Sequence, residues 1–318
     1  MNNFFGKRVL NNFYGFVMTS KTTSMVANHQ NKLWMAAIKP PMYAVAVIPI
    51  WVGTAVASKE GISINWLIFW IFLMAAILIV AWSNLSNDVF DSETGIDVNK
   101  AHSLVNLTGN KPLIYWLGNG CLCLGISGIL TITWWQKDGI VLGLILLCCF
   151  LGYCYQGPPF RLGYQGWGEL ICFICYGPLA LSAVYYSQTK SWSSTNLAAS
   201  VTIGLTTSLI LFCSHFHQLE DDRAAGKRSP IVRLGTAKSA YLLPWLCGFN
   251  YSLPMIFIIL GQFPLWTSSI LVTLPLAVRL CRHVLVNHNQ PQKVSQCKFM
   301  AVALHFSFGM VLGLGFIL

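Results

Sequence analysis

The sequence predicts an all-α membrane protein, a bundle of nine transmembrane helices with its N-terminus on the cytoplasmic side. Three observations carry that prediction. Of 318 residues, 55% are hydrophobic and 9% are charged, against about 25% charged in a soluble domain. The mean hydropathy is +0.60. The uncharged stretches recur at lengths near the ~20 residues that cross ~30 Å of hydrocarbon as a helix. This composition excludes an ordinary soluble enzyme, a disordered tail and a secreted disulfide scaffold. A formal charge of +10 would suggest nucleic acid in a soluble protein. Here the expected partner is the lipid bilayer, with no nucleic acid.

Residues 1–40 form a basic arm without an acid, holding Lys7, Arg8, Lys21, Lys32 and Lys39. No apolar segment followed by a cleavage site marks it as a secretory signal. The membrane domain is expected over 41–318. The first span, 41–57, is uncharged up to Lys59 and Glu60. The second, 66–85, is uncharged up to Asp88. The third, 113–135, lies between Lys111 and Lys137. The fourth, 139–155, is short and lies between Asp138 and Arg161. The fifth, 168–187, carries only Glu169, at its start, and ends before Lys190. The sixth, 197–216, runs to Glu220. The seventh, 240–260, follows Lys238. The eighth, 264–280, is short and holds Pro275, which predicts a kink. The ninth, 299–318, follows Lys298.

The basic residues test this topology. The arm and the even-numbered loops hold Lys100, Lys111, Arg161, Arg223, Lys227, Arg228, Arg233, Lys238, Arg279, Arg282, Lys293 and Lys298, so 17 of the 20 bases lie on one side. Lys59, Lys137 and Lys190 are the other 3. Excess Lys and Arg mark the cytoplasmic side. Of 11 cysteines, almost all fall inside spans. Cys172 and Cys175 therefore read as small packing residues rather than half a zinc site.

Seven of the ten acids sit in two of those cytoplasmic loops: Asp88, Asp91, Glu93 and Asp97 after the second span, and Glu220, Asp221 and Asp222 after the sixth. Carboxylates this close repel one another and call for a cation. Mg²⁺ is usually held by one or two carboxylates plus substrate phosphates. If the second helix continues past the membrane, Asn84, Asn87, Asp88 and Asp91 recur at three- and four-residue steps and share a face. Gly95 then stops the helix, and Asp97 returns from a loop. In the second cluster, Gln218 and Asp222 are four apart. Lys227 and Arg228 follow, placed to contact phosphate oxygens. An ion-coupled transporter is the alternative from another class, but it would place ionisable residues mid-membrane, where none is found.

These segments resemble the UbiA superfamily of membrane prenyltransferases, which has nine transmembrane helices and two Asp-rich cytoplasmic motifs, NDxxDxxxD and DxxxD. Asn87-Asp88-x-x-Asp91 matches the first motif, but its third Asp falls at Asp97 instead of Gly95. That spacing looks like the MenA branch. In the second motif the first Asp is Gln218 and the second is Asp222. The second site then draws on Asp221 or Glu220, or on the Gln218 carbonyl. The segments from His215 to Gly235 and from His102 to Asn110 look like the phylloquinone-pathway members of oxygenic phototrophs. The loop from Tyr155 to Glu169 is similar to the MenA-branch loop after helix four.

The resemblance implies Mg²⁺-dependent transfer of a phytyl chain from its diphosphate to 1,4-dihydroxy-2-naphthoate or 2-carboxy-1,4-naphthoquinone, with decarboxylation. Menaquinone polyprenyl, homogentisate and chlorophyll-type prenyl transfer are the rivals. The implied metal ligands are Asp88, Asp91, Asp97, Asp221 and Asp222. The implied catalytic set is Asp88, Asp91 and Asp222 with Lys227, Arg228 and Arg161 on the diphosphate. Substrate contacts are expected from Lys39, Asn84, Asn87, Asn106, Tyr155, Glu169, His215, His217 and Gln218.

Overall fold

The structure is a computed structural model that describes residues 39–98, 100 and 103–318. The arm expected over 1–40 lies outside these apart from Lys39 and Pro40, and so does His102. Among the described residues every regular element is helical. A 3₁₀ turn over Pro40–Tyr43 leads into α1, Ala44–Lys59. There follow α2, Trp66–Thr94; α3, Lys111–Gln136; α4, Ile140–Gln156; α5, Gly168–Thr189; α6, Ser194–Ser214; α7, Thr236–Ile259; α8, Leu265–Asn287; and α9, Cys297–Ile317. The 17-residue α4 is apolar but short. The other helices supply eight candidate membrane spans, each long and apolar enough to cross a bilayer. Each expected span overlaps one of these nine helices, and the described residues form an all-helical membrane bundle.

Local sequence explains where the helices begin and end. The Asn65 side chain accepts hydrogen bonds from the Leu67 and Ile68 amides at 3.1 and 3.2 Å, which starts α2. Gly95, at φ 76°, stops it, a conformation glycine adopts without a Cβ penalty. Asn110 caps α3 through the Leu113 amide at 3.0 Å. Ser193 caps α6 through the Asn196 amide at 3.2 Å.

The interior is built as membrane bundles are, with small residues at helix crossings. Gly309 and Gly313 of α9 lie against Ile48 and Trp51 of α1, and Trp51 Nε1 donates to the Met310 carbonyl at 3.1 Å. Gly118 and Gly125 let α3 approach Leu85 and Ile79 of α2. At the loop end carrying Glu60 and Asp138, the carboxylates are satisfied by structural partners. Glu60 accepts from Tyr185 and Ser193, and Asp138 accepts from Tyr186 at 2.7 Å and the Ile140 amide at 2.9 Å. The opposite end is where both acid clusters meet.

Candidate active site

The helix spacing of the first cluster is carried into space. Because α2 runs on to Thr94, Asn84, Asn87 and Asp91 point along one face into a cavity of about 420 Å³. Asp97 reaches the same cavity from the turn after Gly95. His215, His217, Gln218 and Asp221 reach it from the segment after α6. Lys39, Lys227 and Tyr155 also line it. Beyond this polar rim the lining turns apolar, with Phe72, Ile79, Trp82, Ile145 and Val184.

Several of these polar side chains are held by a neighbour. Asp91 accepts from Asn87 Nδ2 and from the Tyr164 hydroxyl, the latter at 2.9 Å. Lys100 bonds both oxygens of Asp97 at 3.1 Å. Asp97, Asp88 and Asp91 hold the Lys100 ammonium charged against the opposing effect of burial, so its pKa lies above the usual lysine range. Lys227 stands 5.7 Å over the Tyr164 ring.

Six expected residues are not among those lining the cavity, and each has a physical reason. Asp88 does not share the open face with its neighbours. It is fully buried, accepting from Lys39 Nζ at 3.0 Å and the Leu104 amide at 3.0 Å, with Lys100 at 3.6 Å. Asp222 is equally buried, 2.9 Å from His215 Nδ1 and 3.5 Å from Lys227 Nζ. Burial disfavours its charge, but the His215 hydrogen bond and the Lys227 ammonium outweigh it and hold the carboxyl below its usual range. Arg161 turns to Glu93 at 3.1 Å, and Glu93 also takes Lys111 at 2.7 Å. The Arg228 side chain is exposed, while its backbone amide donates to the Tyr164 carbonyl at 2.7 Å. Asn106 donates to the Asp97 and Lys100 carbonyls at 2.8 and 3.0 Å and so pins the loop carrying them. Glu169 lies 3.5 Å from His215 Nε2.

Asp91, Asp97 and Asp221, with the amides of Asn84, Asn87 and Gln218, give one cavity a set of hard oxygen donors, the kind Mg²⁺ takes. Among the described residues no three His, Cys, Asp or Glu side chains form a ready metal cluster. Asp88, Asp97 and Asp222 each also pair with a buried or half-buried cation, Asp88 with Lys39, Asp97 with Lys100 and Asp222 with Lys227.

A model of the UbiA prenyltransferase family matches residues 46–305. The chain belongs to the UbiA prenyltransferase family. It is 55% identical over 287 residues to the 2-carboxy-1,4-naphthoquinone phytyltransferase of Synechocystis, covering 90% of this chain and 93% of that one. It is 40% identical to the chloroplastic enzyme of that name from Arabidopsis thaliana, covering 90% and 77%. Its fold is similar to that of a UbiA homolog from Archaeoglobus fulgidus solved with DMAPP and Mg²⁺. The TM-score is 0.58 at 16% identity, covering 88% of this chain and 98% of that one.

Within this UbiA bundle the structure adds Lys100 and Lys298 to the cavity wall, along with Cys172 and Tyr176. The two lysines were visible in the sequence only as bases on the cytoplasmic side. Nothing in their spacing signals that they turn inward.

Proposed function

We propose that the protein transfers a phytyl chain from its diphosphate to 2-carboxy-1,4-naphthoquinone, or to the reduced form 1,4-dihydroxy-2-naphthoate, with loss of the carboxyl group. The observation that carries this reading is the 55% identity, over nine-tenths of both chains, to a phytyltransferase of that acceptor. The cavity suits the chemistry. Its polar rim accepts a diphosphate and its apolar depth accepts an isoprenoid.

Mg²⁺ bound at Asp91, Asp97 and Asp221 would offset the negative charge that develops on the departing diphosphate. Asn84, Asn87 and Gln218 orient the same oxygens, and Lys227 supplies a fixed positive charge beside them. Asp88 and Asp222 act through other residues. Asp88 positions Lys39 and Lys100, and Asp222 positions His215 and Lys227. The apolar walls exclude water from the allylic cation. In the transfer the carbon–oxygen bond to diphosphate breaks and the ring carbon bearing the carboxylate bonds to the allylic carbon. The electron pair of the ring–carboxylate bond remains with the ring as CO₂ leaves, so the balance holds for either redox form of the acceptor.

The test is a matrix of donors and acceptors on the protein in lipid, read by product mass. Donors are phytyl, geranylgeranyl and longer diphosphates; acceptors are the naphthoate, the naphthoquinone, homogentisate and chlorophyllide. Phytylated, decarboxylated naphthoquinone or its quinol is expected, lost with a chelator and restored by Mg²⁺. Turnover of homogentisate or chlorophyllide in preference to both naphthalene acceptors overturns the reading.

A further inference from the structure

Tyr164 stands in the loop between α4 and α5 and does not line the cavity, yet it touches both acid-bearing segments. Its hydroxyl donates to Asp91 Oδ1 at 2.9 Å and lies 2.7 Å from Thr94 Oγ1, both at the end of α2. The other Asp91 oxygen accepts from Asn87. The carboxylate plane is therefore fixed from two sides, and lone pairs remain on both oxygens for a cation. On its other side, Tyr164 presents its ring 5.7 Å from the Lys227 ammonium, and its carbonyl accepts from the Arg228 amide at 2.7 Å. Gly166, at φ 91°, lets the same loop pack so closely there that a Cβ would fall 2.6 Å from the Arg228 carbonyl oxygen. Lys227 in turn is near enough for its charge to act on Asp91.

We infer that Tyr164 is a positioning residue that sets the two halves of the site against each other. Its hydroxyl turns the Asp91 carboxylate toward the metal, and its ring and carbonyl seat Lys227 opposite. The inference rests on the function proposed above, in which Asp91 takes Mg²⁺ and Lys227 faces the diphosphate. The identity of the contacts separates this role from that of a plain loop latch. Asp91 and Lys227 both line the cavity, and Tyr164 meets each of them with the group that suits its charge. A hydroxyl proton meets the anion, and the negative face of a ring meets the cation. Hydrogen-bond partners behind a metal ligand fix its orientation, and losing one weakens the metal without removing any ligand. The two acid segments lie far apart in sequence, so a single side chain that contacts both keeps a metal-bound carboxylate and a phosphate-facing ammonium at one separation. That separation is what a single diphosphate has to span.

The experiment reads binding without turnover, so it stands apart from the activity matrix. The full chain in nanodiscs is titrated with pyrophosphate at stepped Mg²⁺ concentrations, and thermal unfolding is followed in parallel. Tyr164→Phe keeps the ring and the carbonyl and loses only the donor to Asp91. It is expected to need about tenfold more Mg²⁺ for half-maximal pyrophosphate binding, with affinity at saturating Mg²⁺ held within about twofold. Its melting temperature should stay near that of the wild type. Tyr164→Leu removes the ring as well, and is expected to lose about threefold more in affinity at saturating Mg²⁺, the worth of one cation–π contact. The assignment is overturned by a phenylalanine variant that binds as the wild type does at every Mg²⁺ concentration. It is equally overturned by one that loses affinity alike at all of them, which is how a loop latch would fail, or by a folded leucine variant that matches the phenylalanine one. Tyr164→Phe decides the matter alone should the leucine variant not fold. Should the Mg²⁺ requirement shift as expected while the activity matrix yields no naphthalene product, the role of Tyr164 stands and the proposed reaction fails.

Discussion

Each acid cluster divides its carboxylates between two jobs. Asp91 and Asp221 face the cavity, while Asp88 and Asp222 are sealed behind them on cations. The two classes are expected to fail differently. Asp91→Ala should cut turnover by about 10²-fold or more and raise the Mg²⁺ needed for half-maximal rate, with a smaller fall in melting temperature than Asp88→Ala, because it loses hydrogen bonds from neutral Asn87 and Tyr164 rather than buried ion pairs. Asp88→Ala leaves Lys39 and Lys100 without their shared partner. Breaking a buried pair costs about 3–5 kcal/mol, so its melting temperature should fall along with activity. Thermal unfolding of the two variants in one detergent separates these outcomes, and equal melting temperatures would make Asp88 a ligand rather than a positioning residue. Asp222 adds a pH signature. Its folded pKa is depressed below the unfolded value of about 3.9, so its stabilisation is complete at neutral pH and is lost as pH falls through the folded pKa. Asp222→Asn should therefore flatten the acid limb of stability measured below pH 4, and an unchanged limb would discount the His215 and Lys227 contacts. The face shared by Asn84, Asn87 and Asp91 was legible because helix spacing is local. The turning-in of Asp88 was not, because it depends on Lys39 and the Leu104 amide, which only the tertiary fold brings near. The Arg161 contact with Glu93 was not legible for the same reason: in one dimension a phosphate and Glu93 attract a guanidinium equally.

At the level of elements, the absence of charge located the spans, and Pro and Gly explain their irregularities. The break expected in α8 is present but is displaced from the proline. A 3₁₀ stretch covers Leu265–Thr273, and the α-helix starts at Leu274 with Pro275 in its first turn, where its missing amide costs nothing. The π-helical turn Cys175–Leu179 around Pro178 in α5 was not legible. Single-turn bulges of this kind re-aim a helix and are often found at functional sites. Here Cys175, Tyr176 and Ala180 line the cavity, so the turn shapes its wall. The crossing of α1 and α9 makes a sharper prediction. A Cβ on Gly309 would overlap Ile48, which is fully buried. Gly309→Leu should destabilise the bundle by about 1–3 kcal/mol or more through overpacking, seen as a lower melting temperature and reduced yield. Leucine at Gly120, where a Cβ meets nothing within 4 Å, is the matched control and should change neither.

Across the whole molecule, the two ends of the bundle are chemically unlike. One end ties Glu60 and Asp138 to tyrosines; the other gathers the lysines and the cavity-lining carboxylates. The depth of that cavity follows from α2. Asp91 and Phe72 both line it, and 19 helical residues at 1.5 Å each separate them by roughly 28 Å. Asp91 stands beyond the end of the expected span at 85, so the part of this run inside the ~30 Å hydrocarbon core is 72–85, about 20 Å, and a donor anchored by its diphosphate at the rim has room to run its chain part-way down the membrane. The length of chain accepted is then a property of the wall rather than of the charged rim. Ala76 lies 15 residues before Asp91, about 22 Å down the helix, and Ala180 faces the same space from α5. Ala76→Phe and Ala180→Phe should lower kcat/KM for phytyl diphosphate by about tenfold or more, because the filled volume blocks the far end of the chain. Dimethylallyl diphosphate, which ends near the rim, should be affected by less than about threefold. Competition between the two donors, read by product mass, gives the ratio directly. An equal loss for both donors would mean that the chain leaves the cavity sideways between helices, near the rim, instead of descending along α2.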